Sequence, residues 1–464
     1  MPGTELEPAG ELLDPSPDDP RAVAELIQRG DPGSLGSWIE RLDSGDIVRV
    51  FSRIPEESRV RLLSVLDPER AAELVRTLPE ALATDVFEEM VPAEAARIIE
   101  FLPSNEQADL IGELDDDEAA AIIGQLDVED AEDVRRLSAY DDDVAGGLMV
   151  TEYLEYSADA SVAEVVADLG ENAEEYADYD IQYAYVTDAS GALVGVLRMR
   201  DLLLASRRRP LREVMIPGPA SVRDTDRLEE LVRFFDEHKF FGTPVLDDAG
   251  RLCGIVKRAA VEAAVAEDGE RMYRSAQGIV GGEELRSMPL LLRSRRRLSW
   301  LSVNIVLNMI AASVIALHQE TLEAVIALAV FLPIISDMSG CSGNQAVAVS
   351  MRELTLGVVR PAEIWRTVLA EVSLGLINGL VLGALIGVVA MLWKDNAYLG
   401  LVVGGALMLN TIIAVGIGGA VPLILKRFKV DPAIAAGPIL TTVTDMCGFF
   451  IVLTFASALL ERLT

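Results

Sequence analysis

Three carboxylates stand in runs that are otherwise apolar: Asp337 in FLPIISDMSGCSGNQ, Glu371 at the head of a glycine-rich stretch, and Asp445 in GPILTTVTDMCGFFIVL. A charged side chain at the centre of a membrane helix costs about 2.5–3.5 kcal/mol on insertion scales. Each acid therefore needs water, a hydrogen-bonding partner or a cation. Asp337, Gly340, Cys341 and Asn344 fall on one helical face. Pro333, four residues before Asp337, frees a backbone carbonyl, and Gly340, Gly343 and their polar neighbours are expected to loosen the helix. Thr441, Thr442 and Asp445 share a second face below the breaker pair Gly437 and Pro438, and Asn304 and Asn308 are i,i+4 neighbours in a further apolar run.

The donors on offer are oxygens alone: carboxylate, carboxamide, hydroxyl and freed carbonyl. Soft metals favour thiolate and imidazole, whereas Mg²⁺ and Ca²⁺ favour oxygen. Mg²⁺ also holds its waters tightly, so a few carboxylates in a wet path suit the hydrated ion. Any one of these polar residues is equally well explained as a hydrogen bond between helices; Asp337, Glu371 and Asp445 together favour a cation path. Catalysis is not expected, because the chain has two histidines (His238 and His318), no nucleophile–base pair and no phosphate-binding glycine loop.

These residues must be positioned by a chain of unlike parts. Half of its 464 residues are hydrophobic, yet the net charge is −34. Residues 298–464 carry ten acids and eight bases, so nearly all of that charge lies earlier. The acidic part attracts cations and repels nucleic acid. Cys253, Cys341 and Cys447 form no CxxC pair, which leaves neither a disulfide framework nor a thiolate metal site. Five spans are expected near 298–317, 324–350, 364–393, 397–425 and 432–460, each long enough for a ~30 Å hydrocarbon core. Arg352, Arg360, Arg366, Lys426, Arg427 and Lys429 fall on one side and Lys394 and Arg462 on the other. The positive-inside rule then places the soluble part in the cytoplasm and the C-terminus outside a plasma or inner membrane. An odd number of spans suits a core built from two subunits. In the third span Glu371, Gly375, Gly379, Gly383 and Gly387 keep a four-residue spacing, a face for close helix approach that accounts for the glycines and not for the acid.

Upstream, residues 1–30 are rich in proline and acid, lack a signal-peptide pattern and are expected to form a disordered leader. From residue 42 a twelve-residue beat sets in: Leu42, Ile54, Leu66, Leu78, Met90, Leu102, Leu114 and Leu126, with Val50, Leu62, Leu74, Val86, Ile98, Leu110, Ile122 and Val134. Short helices that cannot bury their apolar faces alone should stack, giving a superhelical domain over 31–143. Then YAYVTDASGALVGVLRMRDLL (183–203) and GTPVLDDAGRLCGIVKRAAV (242–261) repeat one strand–turn–strand–helix pattern. They resemble paired cystathionine-β-synthase (CBS) modules, assigned to 144–206 and 207–266. Such modules often bind adenine nucleotides through a Gly, a Ser or Thr three residues on, and an Asp six on. The first module reads Gly195, Arg198, Asp201 and the second Gly254, Lys257, Ala260. With no hydroxyl in either, and Asp201 the one acid, ATP binding is not favoured. Residues 267–297, a charged connector broken by Gly278, Gly281 and Gly282, end in Arg293, Arg295, Arg296 and Arg297.

This order of parts makes the chain an α-helical membrane protein with a multi-domain cytosolic region, and from about residue 40 onward it resembles the MgtE family of magnesium channels and transporters. The marks that carry the resemblance are AGGLMV (145–150), RRRLSWL (295–301), GNQ (343–345) and DPAIAAGPILTTVTD (431–445). The resemblance implies a homodimer in the lipid bilayer, with the acid of the last motif, here Asp445, facing a central pore over 298–464 that binds hydrated Mg²⁺. Asp337, Asn344, Glu371, Gly437, Pro438, Thr441 and Thr442 are the residues expected around that path. It also implies feedback by cytosolic Mg²⁺, which bridges acidic faces of the soluble domains so that the connector, a plug helix, closes the pore. Asp115, Asp116, Asp117, Asp141, Asp142, Asp143, Glu267 and Asp268 supply suitable charge. The chain departs from the family at KRAAV (257–261), where an acidic pair is usual, and at SDMSGCSGNQ, which adds Asp337. Two other readings stay open: a Na⁺- or H⁺-coupled divalent-cation exchanger using Asp337 and Glu371, and a non-conducting membrane sensor built on the CBS pair.

Overall fold

The computed structural model describes residues 16–464 apart from 18, 174–175, 177–178, 180–181, 280–283 and 356–357, so most of the acidic leader and the glycines at 281 and 282 lie outside the described residues. The chain divides into two compact units, residues 1–266 with 285–287 and residues 267–284 with 288–464.

In the first unit, among the described residues, the twelve-residue beat becomes eight helices, Ser44–Arg53 to Val128–Leu137, and two more, Pro20–Arg29 and Pro32–Ile39, precede them, each of eight to ten residues. The second apolar position of every repeat, from Val50 to Val134, is buried. Aspartates start several of these helices for a local reason: Asp31 accepts the Ser34 N–H at 3.1 Å and Asp43 that of Asp46 at 2.7 Å, satisfying donors the helix leaves open. From Glu56–Val65 onward each helix stacks on its second neighbour, whereas Pro20–Arg29 packs on Glu56–Val65, its third. Pro68–Val75 packs on Pro92–Ile99 and that on Asp116–Ile123; Glu80–Glu88 packs on Ser104–Gly112 and that on Val128–Leu137. Alternate repeats thus form two interleaved columns around one core.

The leader is shorter than residues 1–30. Pro20–Arg29 is helical, Asp19 caps it, and Val23 and Ile27 are fully buried in the same core. Its i,i+4 apolar pair is enough to dock one short amphipathic helix, and the acid-rich composition around it obscured that signal.

The CBS pair forms two four-stranded sheets from β1 (Met149–Val150), β2 (Leu154–Ser157), β3 (Tyr183–Thr187), β4 (Leu193–Arg198), β5 (Ile216–Pro217), β6 (Val222–Arg223), β7 (Gly242–Leu246) and β8 (Leu252–Lys257). The orders are β2-β3-β4-β5 and β1-β8-β7-β6. Both expected hairpins, β3–β4 and β7–β8, form with antiparallel pairing. A division at 206/207 nevertheless cuts across the sheets. β1, within the range assigned to the first module, pairs with β8 of the second, while β5, after that division, pairs with β4 of the first. The exchange explains two glycines. A side chain at Gly195 would strike the thioether of Met215, next to β5, and one at Gly254 would strike that of Met149 in β1. Ser104 ties the helical stack to this pair: its N–H and hydroxyl donate to the Glu152 carboxylate at 2.7 and 3.0 Å.

In the second unit the connector is not one plug helix. Arg258–Ala276 is the last helix of the CBS pair carried onward, and residues 290–297 are the first turns of Leu290–Leu317. Gly278, at φ +77°, turns the chain between them against the Trp300 indole. Glu284, its side chain only 3% exposed, is gripped by Arg293 at 3.3 Å and by Arg297. The arginine cluster therefore belongs to the first spanning helix, which starts at residue 290 behind the N-capping Pro289.

Five long helices follow: Leu290–Leu317, Leu328–Thr355, Ile364–Lys394, Ala397–Arg427 and Pro432–Ala458, here the first to fifth spanning helices. Among the described residues four are long and apolar enough to cross a membrane. The second falls short because residues 336–345, Met338 apart, are polar or small, and it packs against the fourth and fifth. Its backbone is helical throughout, as is that of the fifth through Gly437 and Pro438. Neither glycine of the second helix loosens it, and Gly343 packs closely. A β-carbon at Gly343 would lie 3.0 Å from the Ala414 carbonyl oxygen on the fourth helix.

The four-residue glycine stripe runs antiparallel along the fourth helix. Gly375 meets Val415, Gly379 meets Met408, Gly383 meets Gly404 and Gly387 meets Gly400. At Gly383 a β-carbon would stand 2.5 Å from the Gly404 carbonyl oxygen, so the two backbones are in contact and no larger residue fits. Gly383→Leu should lower the thermal midpoint of the detergent-solubilised protein, an overpacking cost of about 1–3 kcal/mol or more. Leu385→Ala, at a side chain 64% exposed, should leave it unchanged; equal midpoints for both variants would remove the backbone-contact account.

Candidate cation site

Asp445 lies on the fifth spanning helix, half-buried, and accepts a hydrogen bond from the Ser336 hydroxyl of the second. A buried acid is costly unless hydrogen-bonded, and a charge-assisted bond from a hydroxyl meets part of that cost while leaving oxygen lone pairs free. Around it the hydroxyls turn back on their own helix. Thr442 donates to the Pro438 carbonyl at 2.7 Å, and Thr444 donates to the Thr441 carbonyl at 3.0 Å. Thr441 is exposed, and open space surrounds the α-carbon of Gly437.

On the second helix Asp337, Cys341 and Asn344 are exposed along one face, as their spacing predicts. Neither Asp337 nor Asn344 has a hydrogen bond or ion pair among the described residues. Glu371 is elsewhere: its Cγ rests against Gly419 on the fourth helix, in the interface built by the glycine stripe. The stripe explains where Glu371 sits, and its carboxylate has no hydrogen-bond or ion-pair partner among the described residues. The structure thus joins Asp445 to a serine outside the set read from sequence, and leaves Asp337, Asn344 and Glu371 without protein partners.

Residues missed by the sequence reading complete the polar cluster: Ser336, Ser339, Asn410 and Thr444. Asn410 is fully buried, with its carboxamide Nδ2 2.5 Å from Ser339 Oγ and 3.0 Å from the Thr444 carbonyl oxygen. The signal was present, since LMLNTII places one carboxamide in an apolar run as surely as GNQ does. Among the described residues no three His, Cys, Asp or Glu side chains stand close enough to hold a metal ion. One carboxylate with hydroxyls suits contact with an ion that keeps its waters better than a cage of protein ligands.

In the soluble unit the expected sensing acids are dispersed. Asp115, Asp116 and Asp117 open one helix and Asp141, Asp142 and Asp143 a loop, all exposed; in the second unit Glu267 pairs with Arg271 at 3.3 Å. Asp115 is the exception, facing Glu88, whose carboxyl is pushed up by burial and by Asp115, Asp85, Glu118 and Glu89. A second acidic cluster was not read from sequence. Partial burial, then Glu100, Asp127, Glu129 and Glu152, push the Asp130 carboxyl up to about 6. Asp201 is spoken for: Arg198, standing where the nucleotide pattern has a hydroxyl, bonds it at 2.6 Å and holds its carboxyl below the usual range.

An acid with a raised folded-state pKa destabilises the fold once it ionises, so stability falls as pH rises from about 4 through about 6. Asp130→Asn should therefore raise the unfolding midpoint at pH 7.5 in chelator and have little effect at pH 3.5. A variant no more stable than the parent at pH 7.5 would show that the cluster carries no strain.

Residues 332–455 match the MgtE family, described as a divalent cation transporter, residues 42–143 the MgtE intracellular N domain, and residues 211–267 the CBS domain. The chain is 35% identical over 334 residues to the magnesium transporter MgtE of Thermus thermophilus, covering 71% of this chain and 73% of that one. It is 32% identical over 331 residues to the magnesium transporter MgtE of Bacillus subtilis, covering 71% and 72%. Among solved structures, the soluble part of a magnesium transporter aligns with 53% of this chain and 97% of its own length, at 24% identity and a TM-score of 0.47.

Proposed function

Because this chain belongs to the MgtE family of magnesium transporters, we propose that it passes Mg²⁺ across the cytoplasmic membrane along a path in which the Asp445 carboxylate contacts the hydrated ion. The observation that carries this reading is a half-buried acid on the fifth spanning helix, held by one serine of the second and flanked by threonine hydroxyls on its own helix. A hydrated divalent ion needs charge and hydrogen-bond acceptors rather than direct ligands, and this setting offers both.

The exposed face of Asp337, Cys341 and Asn344 supports a homodimer. Polar groups at membrane depth require protein or water over them, and a second copy facing the first would enclose a wet path between them. The distribution of Lys and Arg supports a cytoplasmic soluble unit and an outward C-terminus. Regulation follows from charge. The clusters around Glu88 and Asp130 hold like charges close together, and cytosolic Mg²⁺ would relieve that repulsion and favour a closed state. Asp201, committed to Arg198, weighs against a nucleotide in that role. One observation favours coupled exchange as a second reading: Asp337 is an additional acid with no partner among the described residues, free to take a coupling ion.

Mg²⁺ flux into liposomes holding the purified protein, with no Na⁺ or pH gradient, separates these readings. Flux should run down the Mg²⁺ gradient alone and fall in Asp445→Asn with the fold intact. Unchanged flux in that variant would sink the pore assignment; flux that needs an imposed Na⁺ or proton gradient would favour exchange, with Asp337→Asn the next variant. Deleting residues 1–266 should relieve inhibition by internal Mg²⁺, and an identical dose-dependence without them would refute cytosolic sensing.

A further inference from the structure

We infer that Asn410, on the fourth spanning helix, is a positioning residue that fixes where the Asp445 carboxylate sits; this rests on the reading of Asp445 as the ion-contacting group. The carboxamide reaches two helices at once. Its Nδ2 donates to Ser339 Oγ on the second at 2.5 Å and to the Thr444 carbonyl on the fifth at 3.0 Å. The carbonyl can only accept, which sets the orientation of the amide. Ser339 in turn offers its hydroxyl to the carbonyls of Ile335 at 2.7 Å and Ser336 at 3.0 Å.

Both attachment points adjoin the pair that defines the site. Thr444 precedes Asp445, and Ser339 lies one turn beyond Ser336, the donor to Asp445. Rotating or sliding either helix would break one of the two N–H bonds in a dry interior, where an unmet amide is costly. Packing alone does not call for a carboxamide here, since leucine has the same branched outline with two methyl groups in place of Oδ1 and Nδ2. Moreover the Asn410 Oδ1 finds no donor among the described residues, so the amide bears the cost of a buried acceptor for the sake of its NH₂. The fifth helix is also shaped to receive it. A β-carbon at Gly448, one turn beyond Asp445, would lie 2.7 Å from Nδ2, too close for a non-bonded contact. The glycine is the seat of the amide.

The test uses the full chain in liposomes and measures Mg²⁺ flux against Mg²⁺ concentration for Asn410→Leu, Gly448→Ala and Asp445→Asn. A misplaced carboxylate should raise the half-saturating Mg²⁺ on the order of tenfold and narrow the preference for Mg²⁺ over Ca²⁺, at an unchanged amount of folded protein. A lower maximal flux with the same half-saturation and the same ion preference would show that Asn410 only holds the bundle together, overturning the inference. Should Asn410→Leu not fold, Gly448→Ala carries the same two outcomes with the amide retained. If Asp445→Asn leaves every parameter unchanged, the underlying pore reading fails, a result distinct from failure at Asn410.

Discussion

The Asp445 carboxylate takes a hydrogen bond from Ser336 and keeps the rest of its surface open, and the spanning unit is arranged around that balance. Full burial would neutralise the acid, and full exposure to lipid would expel it. The second helix can stand beside the fifth because it has traded apolarity for serines and glycines, and it can afford that polarity because the fourth and fifth helices cover its inner face. Leu328, Phe331 and Ile335 of the second helix are buried with Val403 and Ala406 of the fourth and Val452 of the fifth. Above and below the polar cluster, the bundle is an ordinary apolar core.

The third helix serves the same end by a different means. Its glycines let two backbones touch along the fourth helix, giving dispersion and weak Cα–H···O contacts in place of a hydrophobic driving force that lipid does not supply. That seam fixes the fourth helix, and the fourth helix carries Asn410 to the polar cluster. Glu371 stands at the end of the seam, against Gly419, so its place is set by the same contact.

Much of this was legible in the residues. A twelve-residue beat can be satisfied only by short stacked helices, and a strand–turn–strand–helix pattern occurring twice can hardly be anything but two α/β modules. Asp445 stood out because a charge in an apolar run is improbable without a use. What sequence could not give was partnership. β1 and β5 are two-residue strands whose pattern says nothing about which sheet they join. Gly340, Gly343, Gly437 and Pro438 have the composition of a break, yet all four lie in regular helix, and of these glycines it is Gly343 that neighbouring helices approach closely. Ser336, Ser339 and Thr444 are common helix residues that matter only through Asn410 and Asp445, and no local pattern shows a hydrogen bond spanning 71 or 109 residues.

The interleaved columns of the helical domain carry a parity. Because the helices from Glu56–Val65 onward lean on their second neighbours, these repeats belong alternately to one column or the other, and a repeat's address depends on whether it is odd or even. Inserting or deleting a single twelve-residue unit would send every later helix to the opposite column and turn its outer face the wrong way. Placed between residues 104 and 127, such a unit would part Ser104 from Glu152 and Glu100 from Asp130. Lengthening without such a reversal requires units added two at a time, so an array that looks like a simple repeat of twelve has twenty-four residues as its true period.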